Sequence, residues 1–130
     1  MMTVKVVSST QEIFNAEDAL EVYAPTTAGI VGILNNHTNY IAPLEIGELR
    51  IKFGKGEQRI ILNGGIIQVI DNEVLVLADE ASKSEDIIKA EVEKAIENAQ
   101  KKLSAPLESV ELIKLEKLLR YERFKQEHLK

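Results

Sequence analysis

Residues 29–50 read G-I-V-G-I-L-N-N-H-T-N-Y-I-A-P-L-E-I-G-E-L-R, and the rest of the chain is organised around them. Gly29 and Gly32 stand three apart among aliphatic residues. That spacing predicts a backbone that bends or passes close to another strand. Asn35-Asn36 predicts a turn, because asparagine tolerates left-handed backbone angles. His37, one of the chain's two histidines, follows directly. After Pro43 a second turn is expected at Glu45-Ile46-Gly47. The run Glu48-Leu49-Arg50-Ile51-Lys52-Phe53 then alternates with a period of two, the pattern of a half-buried strand.

Working outward, residues 3–80 read as short strands separated by turns. Val4 and Val6 alternate with Thr3 and Lys5, and Gln11 to Phe14 forms a short segment. Leu20, Val22 and Ala24 alternate with Glu21 and Tyr23, and Pro25 is expected to stop that strand. Tyr40-Ile41-Ala42 reads as another short one. Gly54-Lys55-Gly56 predicts a hairpin loop, with residues 59–62 pairing back. Residues 66–70 and 74–77 are β-branched runs around Asp71-Asn72, a strong hairpin signal. Gly64-Gly65 reads as a tight turn. It has neither the G-K-[ST] ending nor the G-x-G-x-x-G spacing of a phosphate loop, and Gly29-x-x-Gly32 lacks both as well. Strands at such close spacing predict a sandwich or barrel.

The period changes near residue 80. Ser82-x-x-Glu85 fits a capping box, and a helix is expected from there to Leu103. Ile88, Val92, Ala95, Ile96, Ala99 and Leu103 fall on one stripe roughly 100° wide. Ser104-Ala105-Pro106 ends this helix and starts another that runs to about Glu127. Its apolar residues, Leu107, Val110, Leu112, Ile113, Leu115, Leu118, Leu119, Tyr121 and Phe124, are spread most of the way round. One partner helix cannot cover them all. The reading is α+β in two parts: a β-sandwich over residues 1–80, then an antiparallel two-helix hairpin over residues 81–130.

Composition narrows the functional classes. The net charge of −5 argues against a nucleic-acid partner. Residues 1–82 carry 5 basic and 11 acidic side chains, and residues 83–130 carry 11 and 10, so the excess negative charge lies in the first part. There is no cysteine, hence no disulfide framework and no thiolate metal site. No signal-peptide pattern is expected at the N-terminus, and no run reaches the roughly 20 apolar residues of a membrane helix. No catalytic constellation is found: His37 has Glu45 and Glu48 near it in sequence, but the second histidine, His128, is in the tail.

The central stretch resembles the ε subunit of F-type ATP synthases. The family pattern is a proline-led loop, G-x-x-G-I-L, a two-residue turn, His, then L-x-x-G-x-L-R. Here those positions are Pro25, Gly29, Gly32-Ile33-Leu34, His37 and Leu44-x-x-Gly47-x-Leu49-Arg50. Gly64-Gly65 and the run from Val74 to Asp79 also match. The likeness is specific over residues 20–80 and thins after residue 85. The family usually has Pro-Gly before the histidine, where this chain has Asn35-Asn36.

The resemblance implies a flattened β-sandwich and a non-catalytic rotor subunit of a proton- or sodium-translocating ATP synthase. Such a subunit joins the γ subunit to the ring of c subunits and is present in one copy, a monomer when isolated. Val31, Leu34, His37, Asn39 and Tyr40 are then the candidates for contact with the ring. Many relatives have an acidic residue two before the second glycine, where this chain has Ile30. The helical part would inhibit ATP hydrolysis by reaching the α/β catalytic head, with Lys114, Lys117, Arg120 and Arg123 as the candidate contacts. The implied location is the cytoplasmic face of a bacterial plasma membrane, or alternatively the stromal face of a plastid thylakoid. No cofactor is required, but ATP is a candidate regulator. Some bacterial ε subunits bind it through I/L-D-x-x-R-A and arginines of the second helix. This chain reads Glu85-Asp86-Ile87-Ile88-Lys89-Ala90, so Asp86, Lys89, Arg120 and Arg123 are the candidates, with Lys where Arg would fork onto phosphate. The alternative is a free-standing ligand-binding β-sandwich with a nucleotide-sensing helical tail.

Overall fold

The computed structural model describes residues 2–104 and 109–127. The strands are β1 (Met2–Val7), β2 (Glu12–Ala19), β3 (Glu21–Thr26), β4 (Gly29–Leu34), β5 (Tyr40–Phe53), β6 (Gly56–Ile70), β7 (Glu73–Ala78) and β8 (Ala81–Lys83). A 3-10 turn (Ser84–Asp86) and helices α1 (Lys89–Leu103) and α2 (Ser109–Glu127) follow. The chain divides into two compact units, Met1–Ser84 and Glu85–Lys130.

Two long strands carry the first unit. β5 and β6 pair in one unbroken register from Tyr40↔Val69 to Phe53↔Gly56, closing on the two-residue turn Gly54-Lys55. Hydrogen bonding runs β2-β1-β7-β6-β5-β3-β4, with β8 also on β6; among the described residues β1 and β7 are the one parallel pair. Residues 65–70 of β6 pair with β7, whereas residues 60–62 pair with β8. Near those, residues 50–52 of β5 pair with β3. The hairpin therefore passes from one layer of the sandwich into the other at Gly64-Gly65, where φ is +75° and +129°.

Inward rows interlock as a period of two requires. Val4, Val74, Val69 and Tyr40 lie in register, as do Val6, Val76, Ile67 and Ala42. Val22, Ile33, Leu49, Ile51, Ile60 and Leu62 join them in one buried core.

Several local expectations are corrected. Pro25 does not stop its strand: β3 continues to Thr26, because the pairing with β5 is irregular between Tyr23 and Thr26. Proline's missing N–H is tolerated at such a place. There is no turn at residues 45–47. Gly47 instead lets β5 run on beneath Pro25, where an added Cβ would lie 2.5 Å from the proline Cβ. Tyr40-Ile41-Ala42 is the start of this same strand, and Gly64-Gly65 is a bend inside β6 rather than a turn. The short segment at residues 11–14 is part of a strand that reaches Ala19. Leu20 points out, at 46% exposure.

The helical part also starts later than Ser82. Residues 81–83 are taken by the edge of β6, pairing with Leu62, Ile61 and Ile60. Ile88 occupies the N-cap position of α1 without a side-chain cap, so no capping box forms. Within the second unit, Ile96, Ala99 and Leu103 of α1 pack on Leu115, Leu118 and Leu119 of α2. Val92 is buried as the stripe predicts, but Ile88 stays outside it, being 54% exposed. α1 ends at Ser104, whose N–H and Oγ both donate to the Lys101 carbonyl. Ala105, Pro106, Leu107 and His128 lie outside the described residues. On α2, Val110, Leu112 and Ile113 are exposed, as expected for a helix that is apolar on more than one side.

Candidate functional site at one end and one outer face of the sandwich

Five candidates, Val31, Leu34, His37, Asn39 and Tyr40, lie on β4, on the loop of residues 35–39 and at the start of β5. The β4–β5 loop stands beside the β6–β7 turn, because β5 and β6 are neighbours. Asn72 Oδ1 accepts the Asn36 N–H (2.6 Å), and Asn39 Oδ1 accepts the Asp71 N–H (3.1 Å). The His37 N–H reaches back to the Leu34 carbonyl at 3.1 Å, and its Nδ1–H donates to the Thr38 carbonyl at 2.6 Å. The His37 ring meets the Tyr40 ring edge-on at 6.0 Å. Asn36, His37, Thr38, Asn39, Asp71 and Asn72 line a polar cleft of about 640 Å³. Leu34 is exposed and Val31 half-buried. Among the described residues no carboxylate is bonded to the His37 ring, whose Nδ1 partner is the Thr38 carbonyl.

A second feature adjoins this end. Outward rows of the layer built on β1, β7 and the ends of β5 and β6 ought to be polar, but one is apolar throughout and the next is half apolar. Pro43, Ile66, Leu77 and Val7 lie in register, as do Ile41, Gln68, Leu75 and Lys5. Ile41 is 67% exposed, Ile66 45% and Leu77 47%. An apolar face this continuous is typical of an interaction surface. Sequence reading missed it, although there was a signal. The apolar runs at 66–67 and 74–77 never alternate with polar residues, as a strand with one wet face would.

The motif residues Gly32, Leu49 and Arg50 serve packing. Leu49 is in the core. A Cβ on Gly32 would sit 3.2 Å from the Tyr23 ring, which carries Arg50 and Lys52 over its face at 5.7 and 5.3 Å. Arg50 Nε donates to Glu57 Oε1 at 2.6 Å, and that hydrogen bond holds the Glu57 carboxyl below the ordinary carboxylate range.

In the helical unit the candidates lie on three elements. Asp86 sits in the 3-10 turn rather than on the exposed side of α1, since the helix begins only at Lys89. Lys89 Nζ lies 3.9 Å from Glu93. Lys114, Arg120 and Arg123 are exposed on α2, and Lys117 is half-buried. Lys114 lines a groove of about 340 Å³ with Lys102, Glu111, Leu115 and Leu118, and the four ATP candidates do not line it.

Residues 1–84 match the family described as ATP synthase, Delta/Epsilon chain, beta-sandwich domain. The ATP synthase epsilon chain of Thioalkalivibrio sulfidiphilus is 39% identical over 103 residues, covering 78% of this chain and 72% of that one. The chain belongs to the ATP synthase epsilon chain family. The epsilon chain of Desulforapulum autotrophicum is 34% identical over 81% of this chain and 78% of its own length. Membership makes this a non-catalytic subunit of an ATP synthase complex. The fold has solved counterparts. A chain of the Euglena gracilis mitochondrial ATP synthase, OSCP/F1/c-ring, superposes with a TM-score of 0.73 at 23% identity, over 95% of this chain and 79% of that one. A chain of the Tetrahymena thermophila mitochondrial ATP synthase central stalk and c-ring gives 0.61 at 16% identity, over 96% of each. Among the described residues, no helix is long and apolar enough to cross a membrane.

Proposed function

We propose that this chain is the rotor subunit that joins γ to the c ring in the central stalk of a proton- or sodium-translocating ATP synthase. The observation that carries the proposal is one apolar face meeting one polar loop end on a single continuously hydrogen-bonded sheet. Torque transfer needs a stiff body with two separate contact areas, and it needs no reactive group. The face of Ile41, Ile66 and Leu77 suits a lasting, apolar contact with γ. The end carrying Val31, Leu34, His37, Asn39 and Tyr40 suits the polar loops of the c ring, and Ile30, 78% exposed, gives its flank an apolar character.

In this reading residues 1–80 serve coupling and residues 81–130 serve regulation. In the regulatory part, Lys114, Lys117, Arg120 and Arg123 meet the α/β head. The complex sits on the cytoplasmic face of a bacterial plasma membrane, or else on the stromal face of a thylakoid. ATP as a regulatory ligand of Asp86, Lys89, Arg120 and Arg123 is a secondary reading that rests on those side chains alone.

Replacing Ile66 and Leu77 together by lysine tests the face. Losing two buried aliphatic contacts amounts to about 3 kcal/mol, so the affinity of the full chain for γ falls about 100-fold. Titration of γ with both proteins measures it. Equal affinities would remove the face from the interface.

A further inference from the structure

Three residues at the loop end hold left-handed backbone angles without being glycine: Asn36 (φ 65°), Asp71 (φ 48°) and Asn72 (φ 65°). Glycine adopts such angles at lower cost. What asparagine adds is its side chain, and at 36 and 72 each side chain is engaged with the other residue. Asn72 Oδ1 accepts the Asn36 N–H, and Asn72 Nδ2 donates to Asn36 Oδ1 at 3.1 Å. The two residues are 36 apart in sequence. The Thr3 N–H donates to the Asn72 carbonyl at 3.0 Å, which anchors the turn to β1.

We propose that Asn72 is a positioning residue for the loop of residues 35–39. Its reciprocal clasp with Asn36 ties the β4 side of the loop to the β6–β7 hairpin, as the Asp71 N–H to Asn39 Oδ1 bond ties the β5 side. A loop ordered beforehand loses less freedom when it meets a partner. The clasp thus sets how His37 and Thr38 are presented. The functional half of this inference rests on the reading that the loop faces the c ring.

Asn72→Gly separates the clasp from a role confined to the turn. Glycine relaxes the left-handed angle, so a turn residue predicts an unchanged or firmer protein. The clasp predicts amide exchange at Asn36 and His37 about fivefold faster in the full chain, the size of one net hydrogen bond. The amides of Val69 and Val74, in the hairpin itself, keep their rates. Asn72→Asp stays close to the original rates, because its carboxylate still accepts the Asn36 N–H and the Asn36 amide can turn its NH2 towards it. Unchanged exchange at Asn36 and His37 in Asn72→Gly, or equal acceleration in Asn72→Asp, overturns the clasp. Capture of the full chain, together with γ, on membranes bearing the c ring tests the second half. Weaker capture of Asn72→Gly supports the positioning role. A loosened loop with unchanged capture overturns the positioning role and leaves the clasp itself standing; whether the loop faces the ring is read separately, from cross-linking of a thiol placed at Thr38.

Discussion

Gly65→Ala lowers the stability of the sandwich by about 3 kcal/mol, and the first unit melts about 15 °C lower. The reason lies in two features of one residue. Its φ of +129° is a region that side-chain-bearing residues rarely enter. An added Cβ would also land on the Leu77 carbonyl oxygen and lie 2.8 Å from the Ala78 Cα. Both obstacles are backbone of the paired strand β7, which cannot yield without breaking the β6–β7 ladder. Gly64 next to it is a natural control. Its φ is +75°, and the nearest atom to an added Cβ is the Asp79 carboxylate oxygen at 3.2 Å, a side-chain atom rather than backbone. Gly64→Ala should cost about 1 kcal/mol, that of a Cβ-bearing residue at a left-handed angle. Thermal melts followed by circular dichroism compare the two. Equal losses would mean that the crossing between layers is not pinned at Gly65.

Deleting residues 104–130 raises ATP hydrolysis by the assembled enzyme severalfold and leaves coupling intact. The prediction starts from α2. Leu115 and Leu119 are buried against α1, but Val110 is 62% exposed, Leu112 37% and Ile113 66%. Burying each such side chain stabilises a docked state by about 1.5 kcal/mol or more. Three of them can therefore favour a second docked position by several kcal/mol, enough to hold most of the molecules there. Entry beside γ within the catalytic head would supply that burial and bring Lys114, Arg120 and Arg123 to its surface. In that position the helix would block rotation in the direction of hydrolysis. The sandwich keeps its own core without residues 104–130, so coupling persists. Steady-state hydrolysis and ion pumping in membranes measure both parts. Unchanged hydrolysis would mean that α2 is a structural element here.

The sandwich was legible because its signals are local. The Asn35-Asn36, Gly54-Lys55 and Asp71-Asn72 turns all form where the sequence places them. Several of the errors share one cause: proline and glycine read as punctuation, whereas Pro25, Pro43, Gly47, Gly64 and Gly65 lie inside strands. Their meaning depends on what crosses above them, which for Gly47 is the Pro25 ring and for Gly65 is β7. Ser82 was misread for a similar reason, since the free edge of β6 competes for that segment and local capping chemistry cannot register it. The loop at residues 35–39 was found through its motif. The apolar outer face was not, because it appears only once Ile41, Ile66 and Leu77 are brought side by side by the register of three strands.

The rotor assignment is tested most directly by tethering. The chain has no cysteine, so Thr38→Cys introduces a single thiol at the loop end, and a short photoactivatable cross-linker can be attached to it in the assembled enzyme. The expected product is a covalent bond to a c subunit, and the tethered enzyme keeps its rates of ATP hydrolysis and ion pumping, because both joined parts turn together. A tether formed instead with the catalytic head, or a c-subunit tether that stops turnover, would contradict a rotor subunit bridging γ and the ring.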